Sequence, residues 1–296
     1  MIKVFREFFS FCRKCVAVCW FACVVAFVSA VANSVLASSV VAKELPVWEA
    51  GVGAAGLSMS HYLGADESGR YGFAYPFFIY RSEYVQADRE GLRGKLFQRE
   101  NLRLNISLNA SLPVNSEDNH TREGMDDLDP MLEIGPTLQY LFYQSSDKYH
   151  RWKLDFPIRA GLTFDGFDIT HSGWTSNPSV VYSGGDSHWK QWVSVGPMFA
   201  DRRYHEYYYD VEQEFVQVGR EEYHAKSGYT GLKLSMSLRR KFNQLSIGGF
   251  VRYVDLHGAA NEDSPLVKSK DYLAIGLAIH WRMAQSSDTV RVKSSF

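Results

Sequence analysis

The sequence predicts an all-β chain, a transmembrane antiparallel up-and-down β-barrel of about ten to twelve strands behind a signal peptide. Three features predict it: long runs with a two-residue period, aromatic residues gathered at the ends of those runs, and a cationic N-terminus that turns apolar.

At the N-terminus Lys3, Arg6, Arg13 and Lys14 outweigh Glu7, and an uncharged run follows from Cys15 to Ala42. Val35-Leu36-Ala37 ahead of Ser38-Ser39 meets the small-residue rule for cleavage by signal peptidase, with a second site after Ala42. The expected division is a signal peptide over 1–37, a barrel over 38–283 and a C-terminal tail over 284–296. The apolar run is also long enough to serve as a bilayer anchor. Cys12, Cys15, Cys19 and Cys23 all lie within this segment, so an exported mature chain holds no cysteine and takes its stability from closure or burial instead of disulfides. The net charge is −1 and the Lys and Arg residues are scattered, which gives nucleic acid nothing to bind.

The clearest strand is 102–112. Leu102, Leu104, Ile106, Leu108, Ala110 and Leu112 share one face, and Arg103, Asn105, Ser107, Asn109 and Ser111 share the other. Residues 151–165 repeat the pattern, with Trp152, Leu154, Phe156, Ile158, Leu162 and Phe164 opposite Arg151, Lys153, Asp155, Arg159 and Asp165. Further strands are read at 47–59, 71–85, 132–143, 189–199, 204–218, 229–238, 245–256 and 272–281, with 91–97 as a shorter addition. No amphipathic helix stands out. Strands of a soluble sandwich usually run about five or six residues, so alternation sustained for eleven or more favours a bilayer crossing. Trp48, Tyr71, Tyr75, Tyr140, Tyr143, Trp152, Trp189, Trp192, Tyr229 and Trp281 sit where interfacial girdles belong. In a barrel, Arg103, Arg151, Lys153, Asp155, Arg159 and Asp165 face the lumen. They either fill it or line a conducting path.

Several stretches invite a chemical reading. "HTREGMDDLD" (120–129) concentrates carboxylates, but it connects two strands, contains Gly124 and Asp129-Pro130, and lacks the ligand order of a calcium loop. His171-Ser172 and Ser187-His188 are adjacent pairs that point to opposite faces if they lie in strands, and no G-x-S-x-G elbow is present. No catalytic, cofactor-binding or metal-binding set emerges, and the chain reads as a non-enzyme. Tyr207, Tyr208 and Tyr209 in "HEYYYDVEQEF", read as a strand, form an interfacial girdle, a docking patch or a sugar-stacking platform.

The segments "WEAGVGAAG" with "HYLGADES", "YPFFIYRSEYVQADREGLRGKLF", "LNASLPVNSEDNHTREGMDDLDPMLEIGPTLQY", "YHEYYYDV" and "NEDSPLV" occur in the order seen in the MipA/OmpV family of Gram-negative outer-membrane proteins, a resemblance that extends over nearly all the mature chain. The resemblance implies residence in the cell outer membrane among its lipid and lipopolysaccharide. It also implies a scaffold role that connects a murein lytic transglycosylase with a bifunctional penicillin-binding protein. Other family members are linked to permeability, drug susceptibility or host adhesion, so a narrow channel for small solutes is the alternative. One departure is at the end. Either Trp281 closes the barrel and 284–296 is free, or Phe296 serves as the assembly signal.

Overall fold

A computed structural model describes residues 44–81, 85–88, 91–98 and 101–291. The expected signal peptide and Phe296 lie outside these residues. All described residues belong to one compact unit, 41–296.

The strands in chain order are β1 (Glu44–Pro46), β2 (Trp48–Ser60), β3 (Ser68–Arg81), β4 (Val85–Asp88), β5 (Gly91–Gln98), β6 (Leu102–Ser111), β7 (Met131–Gln144), β8 (Arg151–Pro157), β9 (Arg159–Asp165), β10 (Asp168–Ser176), β11 (Ser179–Gly185) and β12 (Trp189–Ala200). A helix, α1 (Arg202–Tyr209), comes next, and then β13 (Gly228–Phe242), β14 (Leu245–Asp255), β15 (Asp271–Gln285) and β16 (Thr289–Arg291). Strands β2 to β15 make one 14-stranded antiparallel sheet in the order β10-β9-β7-β6-β5-β4-β3-β2-β15-β14-β13-β12-β11-β8. Two further pairings, β7 with β8 and β10 with β12, join the strands at its two ends to strands already inside it.

The strand count exceeds the expected range because two strands are each broken once. Only Ile158 separates β8 from β9, and Asn177-Pro178 separates β10 from β11. At both breaks the backbone crosses a glycine of the neighbouring strand. A Cβ on Gly135 would overlap the Ile158 carbonyl oxygen, and one on Gly196 would overlap that of Pro178. Only glycine allows so close an approach.

Sequence reasoning erred in three places. Residues 204–218, expected as a strand, form α1 and a following loop, because Asp201 caps the helix by accepting from the Tyr204 amide at 2.9 Å. The strands β10 and β11 were not foreseen, since Gly173 and Asn177-Pro178 interrupt their alternation. The tail does not start free at 284: Ala284 and Gln285 still pair with β2, and Thr289–Arg291 pairs with Glu44–Pro46.

The sheet's two faces carry opposite chemistry, and the usual sense of burial is reversed. Along β7, Met131, Glu133, Thr137, Gln139 and Leu141 are buried, while Ile134, Leu138, Tyr140 and Phe142 are exposed. Arg103 is only 4% exposed, whereas Leu277 on β15 is 68% exposed. Leu273, Ile275, Ile279, Trp281 and Met283 share the face of Leu277.

Connections at one end of the strands are long (61–67, 112–130, 201–227 and 256–270) apart from the two-residue turn at 166–167, and those at the other end are short (145–150, 186–188 and 243–244). The long ones fold together into a cap. Its buried core comprises Tyr62, Ala65, Val114, Leu128, Tyr209 and Ala225.

Candidate functional site

The buried face divides into an aromatic and a charged sector. On β2, β3 and β15 the rings of Tyr75 and Phe77 lie over Gly53 and Gly51, and the Tyr75 hydroxyl meets His280 Nε2 at 2.6 Å. On β6 to β9 polar side chains form a ladder. Asn105 Nδ2 donates to Gln139 Oε1 (2.5 Å), Gln139 Nε2 donates to both oxygens of Asp155 (3.0 and 3.1 Å), and Lys153 Nζ pairs with Asp155 (2.9 Å). A step nearer the cap, Arg159 Nε donates to Ser107 Oγ (2.8 Å), which also accepts from Thr137 (2.6 Å).

The ladder brings together four of the six charged residues singled out from the sequence. Arg103, Lys153, Asp155 and Arg159 stand on this face. Arg151 shares it at the short-turn end, where its Nη2 donates to the Lys148 carbonyl (3.2 Å). Asp165 is apart, exposed at the cap end of β9 next to Asp129. Sequence reasoning missed Glu133, Gln139, Lys233 and Arg252. Each obeys the alternation already used for β6, and applying the same parity to 131–144, 228–242 and 245–255 finds all four.

Glu133 is the carboxylate at the junction of sheet and cap. It accepts from Asn109 (3.0 Å) and the Tyr204 hydroxyl (3.2 Å) on Oε1, and from Thr175 (2.9 Å) on Oε2. Only 5% exposed and held by three donors, its carboxylate locks α1 to the sheet.

In the cap, the tyrosines of α1 work as anchors. Tyr207 donates to the Asp129 carbonyl (3.1 Å), Tyr208 to Ser111 Oγ (3.5 Å) and Tyr209 to the Leu63 carbonyl (2.9 Å), while Tyr62 donates to the Leu266 carbonyl (2.8 Å). Burial raises the pKa of each of these phenols, that of Tyr208 up to about 12, so they remain protonated donors. The girdle and strand-borne docking readings of Tyr207, Tyr208 and Tyr209 therefore fail. Each of the three is held by its own anchor within the cap and its junction with the strands, and none belongs to the sheet's exposed face.

Two arginines tie the loops through carbonyl oxygens. Arg122 donates to Tyr208 (3.3 Å) and Asp126 (3.1 Å), and burial lowers its pKa. Arg220 donates to Phe215 (2.8 Å), Thr121 (3.0 Å) and Glu123 (2.9 Å). The acidic stretch serves the same loop: Asp127 accepts from the Ser116 amide (2.6 Å), and Val114 bridges to Leu128. His205 is fully buried. Its Nδ1 lies 2.5 Å from the Lys226 carbonyl, so Nδ1 holds the proton and Nε2 accepts from Thr230 Oγ1 (2.8 Å). Among the described residues no group of three or more His, Cys, Asp or Glu side chains is placed to hold a metal. Ser172 Oγ pairs with Thr163 Oγ1 (2.9 Å) and not with His171.

Residues 52–283 match the family described as "MltA-interacting protein MipA". The chain belongs to the MipA family. That match spans the charged ladder, α1 and the cap. No curated protein shows detectable similarity to this MipA-family chain. Among solved structures it is similar to a "Bacterial polysaccharide outer membrane secretin" at 11% identity and TM-score 0.39, over 80% of this chain and 99% of that one. It is also similar to Pseudomonas aeruginosa OccK3 (OpdO) at 10% identity and TM-score 0.26, over 80% and 95%.

Proposed function

We propose that this MipA-family chain is a closed β-barrel of the Gram-negative outer membrane and acts without catalysis as a docking protein for a murein lytic transglycosylase. A bifunctional penicillin-binding protein is the second candidate partner. The reversed burial of the sheet carries the membrane half of this reading: apolar side chains outside and charged ones inside suit lipid around a polar lumen. The β7–β8 and β10–β12 pairings support closure, because they leave no end strand of the sheet without a second neighbour. The printed family description, which names an interaction with MltA, supports the partner.

Short turns of bacterial barrels face the periplasm and long loops face outward. The docking surface is then the end bearing 145–150, 186–188, 243–244 and the β1–β16 pair. The tyrosines of α1 belong to the opposite, capped end. A photo-crosslinking residue at Tyr149 is expected to capture a transglycosylase in intact cells, and one at the fully exposed Val218 is not. Equal capture from both, or from neither, overturns the docking role.

The excess of cations on the buried face favours one second reading, a narrow channel for small solutes. Steady single-channel steps in planar bilayers, with an ion preference altered by Arg159→Ala, would support it over docking.

A further inference from the structure

Deep on the charged face, between the ladder and β13–β14, three cations converge. Lys233 on β13 and Arg252 on β14 share the buried face, two positions apart in register, because Lys233 pairs with Val254 and Ser235 with Arg252. Both lie within electrostatic reach of Arg159 across the interior, and Glu133 is the carboxylate that Lys233 and Arg159 share.

The partners of these groups are unequal. Glu133 is already satisfied by Asn109, Tyr204 and Thr175. Asp155, near Arg159, is matched by Lys153. Arg159 spends only its Nε, on the neutral Ser107. Among the described residues, Lys233 and Arg252 make no hydrogen bond or ion pair, and Arg252 Nε is buried without an acceptor. Three basic side chains thus face a single carboxylate whose own oxygens are already taken by other donors. Charges so placed are ordinarily paired or bound to a counterion. Both guanidinium groups can offer planar N–H forks to oxygen pairs, and Lys233 adds a point charge. All three are only half-buried, so a small solute in the interior can touch them.

We propose that Lys233, Arg252 and Arg159 form a binding site for a small doubly charged oxyanion of the phosphate class. Basic groups with so little acid to match them suit a multiply charged oxyanion. The source is a free solute, since lipid phosphates sit with their acyl chains on the opposite face of the sheet. The inference rests on the barrel part of the proposed function and is independent of docking.

The test uses the full-length protein in a phosphate-free detergent, titrated calorimetrically with sodium phosphate at ionic strength held constant with sodium chloride. Saturable binding of one phosphate per chain is expected. Lys233→Gln and Arg252→Gln should each weaken it about tenfold or more, the loss of a charge-assisted hydrogen bond. Arg252→Lys should restore part of the affinity. Arg240→Gln, on the exposed face where Arg240 stacks on Trp189 and Phe242, should change nothing. Absence of saturable binding to the wild type overturns the site, as does equal affinity in the Gln variants. If a Gln variant does not fold, the wild-type titration and the Lys variant still decide. The barrel reading is checked on the same sample: a sheet that stays folded in detergent and is insoluble without it keeps that reading, whatever phosphate does. A chain that dissolves without detergent sinks it.

Discussion

In the cap, Tyr62, Val114, Leu128, Tyr209 and Leu266 are buried, and Glu222, His224 and Lys226 stay at the surface. Along the strands Leu277, Phe78 and Ile275 are exposed, and Arg103, Glu133 and Gln139 are buried. The cap is built as any water-soluble domain is, by removing apolar area from water. The sheet is built the other way round. One chain with both arrangements has two surroundings, and the boundary falls where the strands end and the long connections begin.

The largest effect that can sharpen this contrast lies in the cap. Tyr209→Ala removes a buried ring and its hydrogen bond to Leu63, and should destabilise the cap by about 3–5 kcal/mol. Amide exchange across 201–227 should accelerate, while β13 to β15 stay protected. If the strands open together with the cap, the two regions are one cooperative unit and the contrast between them is structural only.

The converse test is on the sheet. Leu277→Arg on the exposed face should cost about 2–4 kcal/mol in denaturant unfolding from lipid vesicles, near the bilayer centre. Were that face in water, the same change would fall within about 0.5 kcal/mol. A negligible cost breaks the comparison outright.

Arg220→Gln comes next. The guanidinium is buried and binds three carbonyls from two loops, so its loss should cost the cap about 1–3 kcal/mol. Proteolysis at 119–125 should quicken without change in the sheet.

What could be read from the sequence follows the same boundary. Strands β6 and β8–β9 were legible, with the facing of Arg103, Lys153, Asp155 and Arg159, because a bilayer demands strict alternation over a fixed length. The cap was illegible because loops in water carry no period. Residues 204–218 read as a strand, although Asp201, three residues before Tyr204, is also a helix cap, and only tertiary burial of Tyr204 and Tyr209 decides between them. The cation cluster stayed hidden for another reason. Lys233 and Arg252 sit on neighbouring strands, but Arg159 comes from the distant β9, and its approach to them depends on how the sheet curves.

The smallest effect is a pH dependence confined to the cap. Burial depresses the pKa of His205, so the folded cap holds the imidazole neutral while the unfolded segment takes up a proton near pH 6.5. A depressed histidine contributes stability that is present above that value and is lost as pH falls below it, since the unfolded state then binds the extra proton. Protonation also places a donor at Nε2, which now accepts from Thr230. Amide exchange in α1, corrected for the intrinsic effect of pH, should therefore show weaker protection at pH 5 than at pH 7.5, with the strands unchanged. In His205→Gln the protection should be lower at both values and independent of pH over that interval. A wild-type α1 equally protected at the two pH values would mean that the imidazole already carries its proton in the folded cap, and that burial does not govern it there.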